Sequence, residues 1–369
     1  MSRQGLVRAS PEAPREAIRP GARGGGTAVS SRRLMEIYVA LKSKPVAILV
    51  GPAGSGKLAA ARALGARLAA ADGMCFQEMM GHPWWASRSA GVALFTEAQQ
   101  RFNHEKVQAL LEESAAEPSG ERVRVALLSR ISPAEWSDLA ELTTLTGPEG
   151  ARLVLQAGRK RPVALRGFLL IATADAAAPA PWDPELLRTV SILPWGEHDE
   201  IESQEEPTWP SEEVAAFERE VVRAPRSALG RLRCLNGWRD ERLKPLLAIA
   251  QVMTARGIPE ANCAASEALV YLANAWTSRG EVLLAASFEE NLRWALRLAV
   301  VLAFLPRLEG RPDLPDEVLA DIETILDERA GMVWGSAGRD GLRPLARPWP
   351  GLTALNHTST ATSSVQERR

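Results

Sequence analysis

A glycine-rich segment that ends in lysine is the part of the sequence with the clearest chemistry. It has the spacing G-x-x-x-x-G-K and lies between an apolar segment, Val46–Val50, and an Ala-rich segment that begins at Lys57. In a strand–loop–helix of this kind, backbone N–H groups point into the loop, the helix N-terminus adds partial positive charge, and the lysine reaches the β- and γ-phosphates of a nucleotide. The predicted nucleotide-binding residues are Gly51, Pro52, Ala53, Gly54, Ser55, Gly56, Lys57 and Leu58. The alternative is a tight turn that binds nothing.

Two features of the sequence argue against ordinary hydrolysis at this loop. Leu58 occupies the position at which a Ser or Thr hydroxyl would ligate Mg²⁺. The next suitable strand ends in Ser129 and Arg130, where an acidic pair would hold the metal and activate water. Because loss of a general base alone costs about 10²–10⁴ in rate, we expect ATP or GTP to bind with little need for Mg²⁺ and to be hydrolysed poorly. Glu135 and Asp138 either substitute for the missing acids or form a solvated helix face.

Several segments together resemble the AAA+ core of the McrB type, the motor subunit of modification-dependent restriction systems. The core segments are GPAGSGK, LLSRISPAEWSDLAEL, FLLIATAD and PELLRTVSI, in that order along the chain. In the later part, Tyr271-Leu272-Ala273 and the segment FLPRLEG (304–310) are similar to the lid of that family, and His82-Pro83-Trp84-Trp85 is similar to one of its loops. The resemblance covers residues 33–330 and implies a ring assembly with active sibling subunits or a nuclease partner.

The sequence departs from the family pattern at residues that would face the nucleotide. Asp175 occupies the sensor position, where the family has Asn, and a carboxylate there repels a γ-phosphate unless it is protonated or bridged by a metal. Cys263 occupies the position of the lid arginine. Arg188 matches an arginine that lies near the subunit interface in the family, although Leu187 replaces the preceding Asp. The resemblance therefore implies that Arg188 is either an arginine finger acting in trans on a neighbouring subunit or a structural arginine.

Alternating apolar strands and helical segments up to about residue 195 predict an α/β fold with a parallel sheet. The resemblance makes this a P-loop AAA+ αβα core followed by an α-helical lid. We predict a disordered tail over 1–32, the core over 33–196, an acidic linker over 197–212, the helical lid over 213–330, and a C-terminal extension over 331–369 that is partly disordered.

The individual elements follow from the same patterns. Strands are predicted at 46–50, 74–79, 123–129, 168–173 and 190–193, with a hairpin of 152–156 and 163–166 around the basic turn GRKRP (158–162). Helices are predicted at 57–71, 96–117, 133–142, 213–223, 225–235, 241–255, 260–278, 286–305 and 314–328.

Composition excludes several other classes of protein. The net charge of −1 gives no field that would attract nucleic acid or an acidic membrane surface, so we expect contact with DNA only through an assembly. No metal-binding spacing of Cys and His occurs, and no site residue is assigned to a metal. The scattered Cys75, Cys234 and Cys263 are expected to be buried, reduced thiols of a cytoplasmic protein. No apolar run is long enough to span a membrane, and no secretory leader is predicted.

These observations lead to one expected function and two alternatives. We expect a degenerate AAA+ subunit that binds ATP or GTP, hydrolyses little alone, and acts in a homo- or hetero-oligomeric ring in defence against foreign DNA. The first alternative is an active ATPase that uses Asp175 or Glu135 unconventionally, and the second is a structural scaffold without enzymatic activity. Trp84-Trp85 and the GRKRP turn are candidate contacts to DNA or to a neighbouring subunit, or else a packed pair and a solvated turn.

Overall fold

A computed structural model describes the chain over residues 29–69, 74–79, 123–129, 131, 143–146, 152–155, 163–165, 168–175, 184–196, 221–258, 260–308 and 316–329. The predictions that fall elsewhere lie outside the described residues. These are the tail before residue 29, the Trp84-Trp85 loop, the helices at 96–117 and 133–142, the GRKRP turn (158–162), the acidic linker, residues 213–220 of a predicted helix and the C-terminal extension.

A parallel sheet forms the centre of the first half of the chain. The strands are β1 (Val46–Gly51), β2 (Met74–Met79), β3 (Val123–Leu128), β4 (Thr143–Thr146), β5 (Arg152–Leu155), β6 (Val163–Leu165), β7 (Phe168–Asp175) and β8 (Val190–Pro194). Within the described ranges, five of them pair in the order β2-β3-β7-β1-β8, and every pairing is parallel. All residues of β1 and β8 are buried, as expected for strands covered on both faces. The predicted α/β class with a parallel sheet is confirmed.

A smaller antiparallel sheet contains the predicted hairpin. Strands β5 and β6 pair with Leu155 opposite Val163, which confirms the hairpin around residues 158–162. Strand β4 adds to the other side of β5, with Thr143 opposite Leu155. Its sequence, Thr-Thr-Leu-Thr, is too short and polar to show a strand pattern, so sequence analysis did not identify it.

Helices flank the parallel sheet and make up most of the described second half. They are α1 (Ser31–Ser43), α2 (Lys57–Ala69), α3 (Pro184–Thr189), α4 (Pro225–Arg233), α5 (Lys244–Ala255), α6 (Ala261–Asn274), α7 (Phe288–Ala303), α8 (Leu305–Leu308) and α9 (Asp316–Arg329), with a 3₁₀ turn at Asp240–Leu243. Six of these helices agree with predicted segments within four residues at each end, whereas α1, α3 and α8 were not predicted.

Two predicted boundaries are wrong, and each has a specific cause. Helix α1 begins at Ser31, because the Ser30 hydroxyl caps it by accepting the N–H of Arg33 at 3.3 Å; the tail therefore ends before residue 32. The helix predicted for 213–223 does not include 221–223, which are irregular. There the Asn274 side chain accepts the N–H of Val222 at 3.2 Å and donates to its carbonyl at 2.6 Å, so the backbone is satisfied without a helix.

A continuous hydrophobic core joins the sheet to the helical second half. Its members come from α1, α2, β1, β3, β7 and β8, and also from α4 to α9. Helix α6 packs on α1, and α7 packs on β8. Both β1 and α2, which flank the glycine-rich loop, contribute side chains to this core.

Candidate functional site: the loop between β1 and α2

The predicted phosphate loop lies between the last residue of β1, Gly51, and the first residue of α2, Lys57. Gly54 and Gly56 have φ of 83° and 84°. Both values lie in the left-handed region, which strains residues with a side chain, so the loop conformation requires glycine at both positions. Pro52, Ala53 and Gly54 are exposed, whereas Lys57 is buried. The strand–loop–helix arrangement expected from the motif is present.

The Lys57 ammonium lies over the loop itself. Its Nζ donates to the carbonyl oxygens of Gly51 at 2.7 Å and Pro52 at 2.6 Å, and it lies 3.4 Å from the Ser55 hydroxyl. These three oxygens hold the Lys57 ammonium against the backbone of the loop. A phosphate oxygen would have to replace at least one of them, and a charge-assisted bond to phosphate is stronger than a bond to a neutral carbonyl.

Trp195, the residue after β8, is the main neighbour of the loop. Its backbone N–H donates to Val50 O at 2.6 Å and its indole Nε1 donates to Ser55 O at 2.9 Å. A Cβ on Gly51 would lie 1.7 Å from Trp195 O. Gly51 is therefore required by the close approach of this backbone, a reason that the motif alone does not provide.

Arg33 in the first turn of α1 covers the Trp195 ring. Its guanidinium carbon lies 4.4 Å from the ring centroid. The guanidinium also donates to Glu36 Oε2 at 2.5 Å and to Pro194 O at 3.1 Å. Neither Arg33 nor Trp195 was predicted to be part of the site, because both lie outside the loop motif. Arg33 precedes the loop, and Trp195 lies 140 residues after Ser55.

The candidate catalytic positions on β3 and β7 lie at the same edge of the sheet as the loop. In the parallel register Gly51 is opposite Asp175, and Leu128 is opposite Ala172. Ser129 is buried just beyond β3, and Ile131 N donates to Thr173 O at 2.8 Å. The structure thus brings together the backbone of the loop, Ser129 and Asp175. The Asp175 side chain, Arg130, Glu135 and Asp138 lie outside what the structure describes.

Leu58, which replaces the expected hydroxyl residue, is half-buried and packs against the hydrophobic core. Its side chain has no oxygen for a metal ion. Among the described residues, no group of three or more His, Cys, Asp or Glu side chains could hold a metal ion. The groups of this loop that can bind phosphate are the Lys57 ammonium and the backbone N–H groups.

Arg188 is exposed in the last turn of α3. The backbone around it is held from below by Lys44, whose Nζ donates to the carbonyls of Leu187 and of Val190, the latter at 3.4 Å. Thr189 Oγ1 also donates to Leu186 O at 3.1 Å. An exposed arginine on a supported helix end is accessible to a neighbouring molecule.

Lys44 belongs to a buried charge network that joins the sheet to the helical half. Glu267 accepts from Lys44 Nζ at 2.7 Å through one carboxylate oxygen and from Arg307 Nη2 at 2.7 Å through the other. Burial lowers the pKa of Lys44 from its ordinary value. Burial alone would raise the pKa of Glu267, but the charges and hydrogen bonds of the two cations outweigh it and lower that pKa.

A second polar contact lies beside this network. Tyr271 Oη and Ser191 Oγ are 2.7 Å apart, and burial raises the pKa of Tyr271. Tyr271 and Arg307 belong to the two segments that the sequence led us to expect in a helical lid. Lys44 and Glu267 gave no signal in the sequence, because they are 223 residues apart.

Two of the cysteines differ from expectation. Cys234 and Cys263 are exposed free thiols, because Cys234 caps the C-terminus of α4 and Cys263 lies in the first turn of α6. The side chain of Cys75 lies outside the described residues. In the part of the chain that the structure describes, no helix has the length and apolarity needed to cross a membrane.

No model of a known protein family matches the chain, and no curated protein matches it significantly.

Proposed function

We propose that the chain binds the phosphates of ATP or GTP at Gly51–Leu58. The observation that carries this proposal is the geometry of the loop, in which two left-handed glycines separate a buried strand from a helix N-terminus. Lys57 extends over the same loop. Backbone N–H groups at a helix N-terminus and a nearby ammonium are the groups that bind a phosphate chain.

The bound nucleotide is hydrolysed slowly by the isolated chain, and its binding depends little on Mg²⁺. Leu58 directs an apolar side chain to the core where a metal-ligating hydroxyl would stand. Ser129 supplies no carboxylate at the end of β3. With no oxygen ligand at position 58 and no carboxylate at position 129, the loop stabilises the nucleotide but activates water poorly.

The chain acts as a degenerate AAA+ subunit of the McrB type. Its parallel sheet and following helices support this assignment, as does the packing of the two lid-like segments, where Tyr271 contacts β8 and Arg307 joins the Lys44 network. In this proposal the subunit assembles in a cytoplasmic ring with active siblings or a nuclease partner, serves in defence against foreign DNA, and meets DNA through that assembly. Arg188 acts in trans on the nucleotide of a neighbour.

A structural scaffold is the second candidate function. It is favoured by the bonds of the Lys57 ammonium to three oxygens of its own loop, which hold the cation without a ligand.

Calorimetric titration with ATP, ADP and GTP, in the presence of Mg²⁺ or EDTA, tests these proposals. We expect wild type to bind with similar affinity in both conditions and Lys57→Ala to lose at least tenfold in affinity. Lys244→Ala is the matched control, because Lys244 is exposed at the start of α5. Absence of binding by wild type would select the scaffold. Mg²⁺-dependent turnover that Lys57→Ala abolishes would select the active ATPase.

A further inference from the structure

Trp195 holds the phosphate loop by two bonds of different kinds. Its backbone N–H to Val50 O continues the β1–β8 ladder one residue beyond the pair Val50–Pro194. Its indole N–H to Ser55 O reaches into the middle of the loop. The first bond places the tryptophan, and the second constrains the loop.

The indole bond constrains one peptide unit whose orientation affects phosphate binding. The Ser55 carbonyl and the Gly56 N–H belong to the same planar trans peptide, so they point in opposite directions. With Ser55 O held by the indole, the Gly56 N–H must face the other way. Rotation of this peptide unit changes ψ of Ser55 and φ of Gly56, and Gly56, at φ 84°, has no Cβ to oppose it. The indole therefore supplies the restraint that glycine lacks.

The indole itself is held in place by α1. The Arg33 guanidinium stacks on its face and is in turn bound by Glu36 and by Pro194 O. A guanidinium over an indole ring is attracted by the negative face of the ring, and more strongly where water is excluded. Trp195 is buried, so its ring has little freedom to leave Ser55 O.

We propose that Trp195 is a positioning residue for phosphate binding, which sets the Ser55–Gly56 peptide so that the Gly56 N–H faces the phosphate chain. This inference rests on the proposed nucleotide binding at the loop. It adds that the Gly56 N–H already has its binding orientation in the free protein. The conformational entropy of orienting this donor is therefore not lost when phosphate binds. It also adds that the effect is directed at phosphate and is independent of the base.

Trp195→Phe tests this inference, because it keeps an aromatic ring under Arg33 and removes the indole donor together with one of its two fused rings. Trp238→Phe is the matched control, since its indole also donates one hydrogen bond, to Asp240 Oδ1 at 3.2 Å in the helical half. We expect Trp195→Phe to weaken ATP and inorganic tripolyphosphate by the same factor, about five- to tenfold, as for the loss of one net hydrogen bond. Trp238→Phe should bind both ligands as wild type does.

The outcomes separate this inference from the proposed function. If wild type binds ATP, and Trp195→Phe binds ATP and tripolyphosphate as tightly as wild type does, the positioning role is wrong while nucleotide binding stands. Weakened ATP with unchanged tripolyphosphate would place the effect on the base and overturn the inference. If wild type binds neither ligand, both proposals fall. Arg33→Met serves as a second variant, should Trp195→Phe not fold, and we expect it to weaken both ligands by about two- to fivefold.

Discussion

Among the described residues, Glu267 is the anion that pairs with two buried cations, Lys44 and Arg307. Its replacement by glutamine therefore tests directly how the two halves of the chain are joined. Its carboxylate accepts from Lys44 and Arg307 at 2.7 Å each, and the side chains of these cations are only 6% and 4% exposed. Glu267→Gln preserves the shape of the side chain but raises the net charge of the group from +1 to +2.

The expected loss follows from this charge count. Removing one partner of a buried ion pair costs about 3–5 kcal/mol, because the remaining charge is left without compensation. At about 2–4 °C per kcal/mol for a domain of 150–250 residues, the melting temperature should fall by about 6–20 °C. Lys44→Met should cost less, about 1–3 kcal/mol. It removes a donor from Glu267 and from the carbonyls of Leu187 and Val190, but Glu267 stays paired with Arg307 and no buried charge is left without a partner.

Urea unfolding followed by circular dichroism gives the free energies for this comparison. Asp240→Asn is the matched control: it makes the same carboxylate-to-amide change in a pair with Arg233 whose side chains are half exposed, and it should change stability little. A Glu267→Gln variant with the wild-type midpoint would refute the reasoning. So would a Lys44→Met variant that is less stable than Glu267→Gln.

The same carboxylate predicts a dependence on pH. The pKa of Glu267 is lowered in the folded protein from its ordinary value of 4.5, so the unfolded state binds the proton more readily. Its contribution is fully present above about pH 4.5 and is lost as pH falls through the folded value. The stability gap between wild type and Glu267→Gln should therefore narrow below about pH 4.5. A gap that stays constant on acidification would contradict this assignment.

Two further predictions concern the nucleotide. Leu58→Thr should place a hydroxyl where it can ligate Mg²⁺, so that ATP binds more strongly with Mg²⁺ than with EDTA. Leu58→Ala is the control without the hydroxyl. Equal ATP affinities of Leu58→Thr in the two conditions would contradict the role given to Leu58. In the proposed assembly with an active partner, Arg188→Ala should lower ATP hydrolysis by at least about 10³-fold. Arg226→Ala is the control at an exposed arginine of α4 and should leave that rate unchanged. Undiminished hydrolysis with Arg188→Ala would exclude a role for Arg188 as an arginine finger.

Features that depend on local pattern were predicted well. The run Val46–Val50 and the glycines of the loop identified β1, the turn and α2, because apolar runs and left-handed glycines act over a few residues. The hairpin at residues 158–162 followed from the same kind of signal. Strand β4 was missed because three threonines and one leucine carry no clear period. The 221–223 segment was misassigned because the amide that satisfies its backbone comes from Asn274.

The sequence by itself determined that a lysine follows a glycine loop and that strands alternate with helices. It also predicted that Leu58 and Ser129 occupy the positions of metal ligands. Each of these depends on residues that are close together in the chain. Only the tertiary structure decided that Trp195 holds Ser55 O and that Glu267 lies between Lys44 and Arg307. These contacts arise because β8 adds to the edge of the sheet beside β1 and α6 packs on α1, and no pattern within either segment encodes the partner that packing supplies.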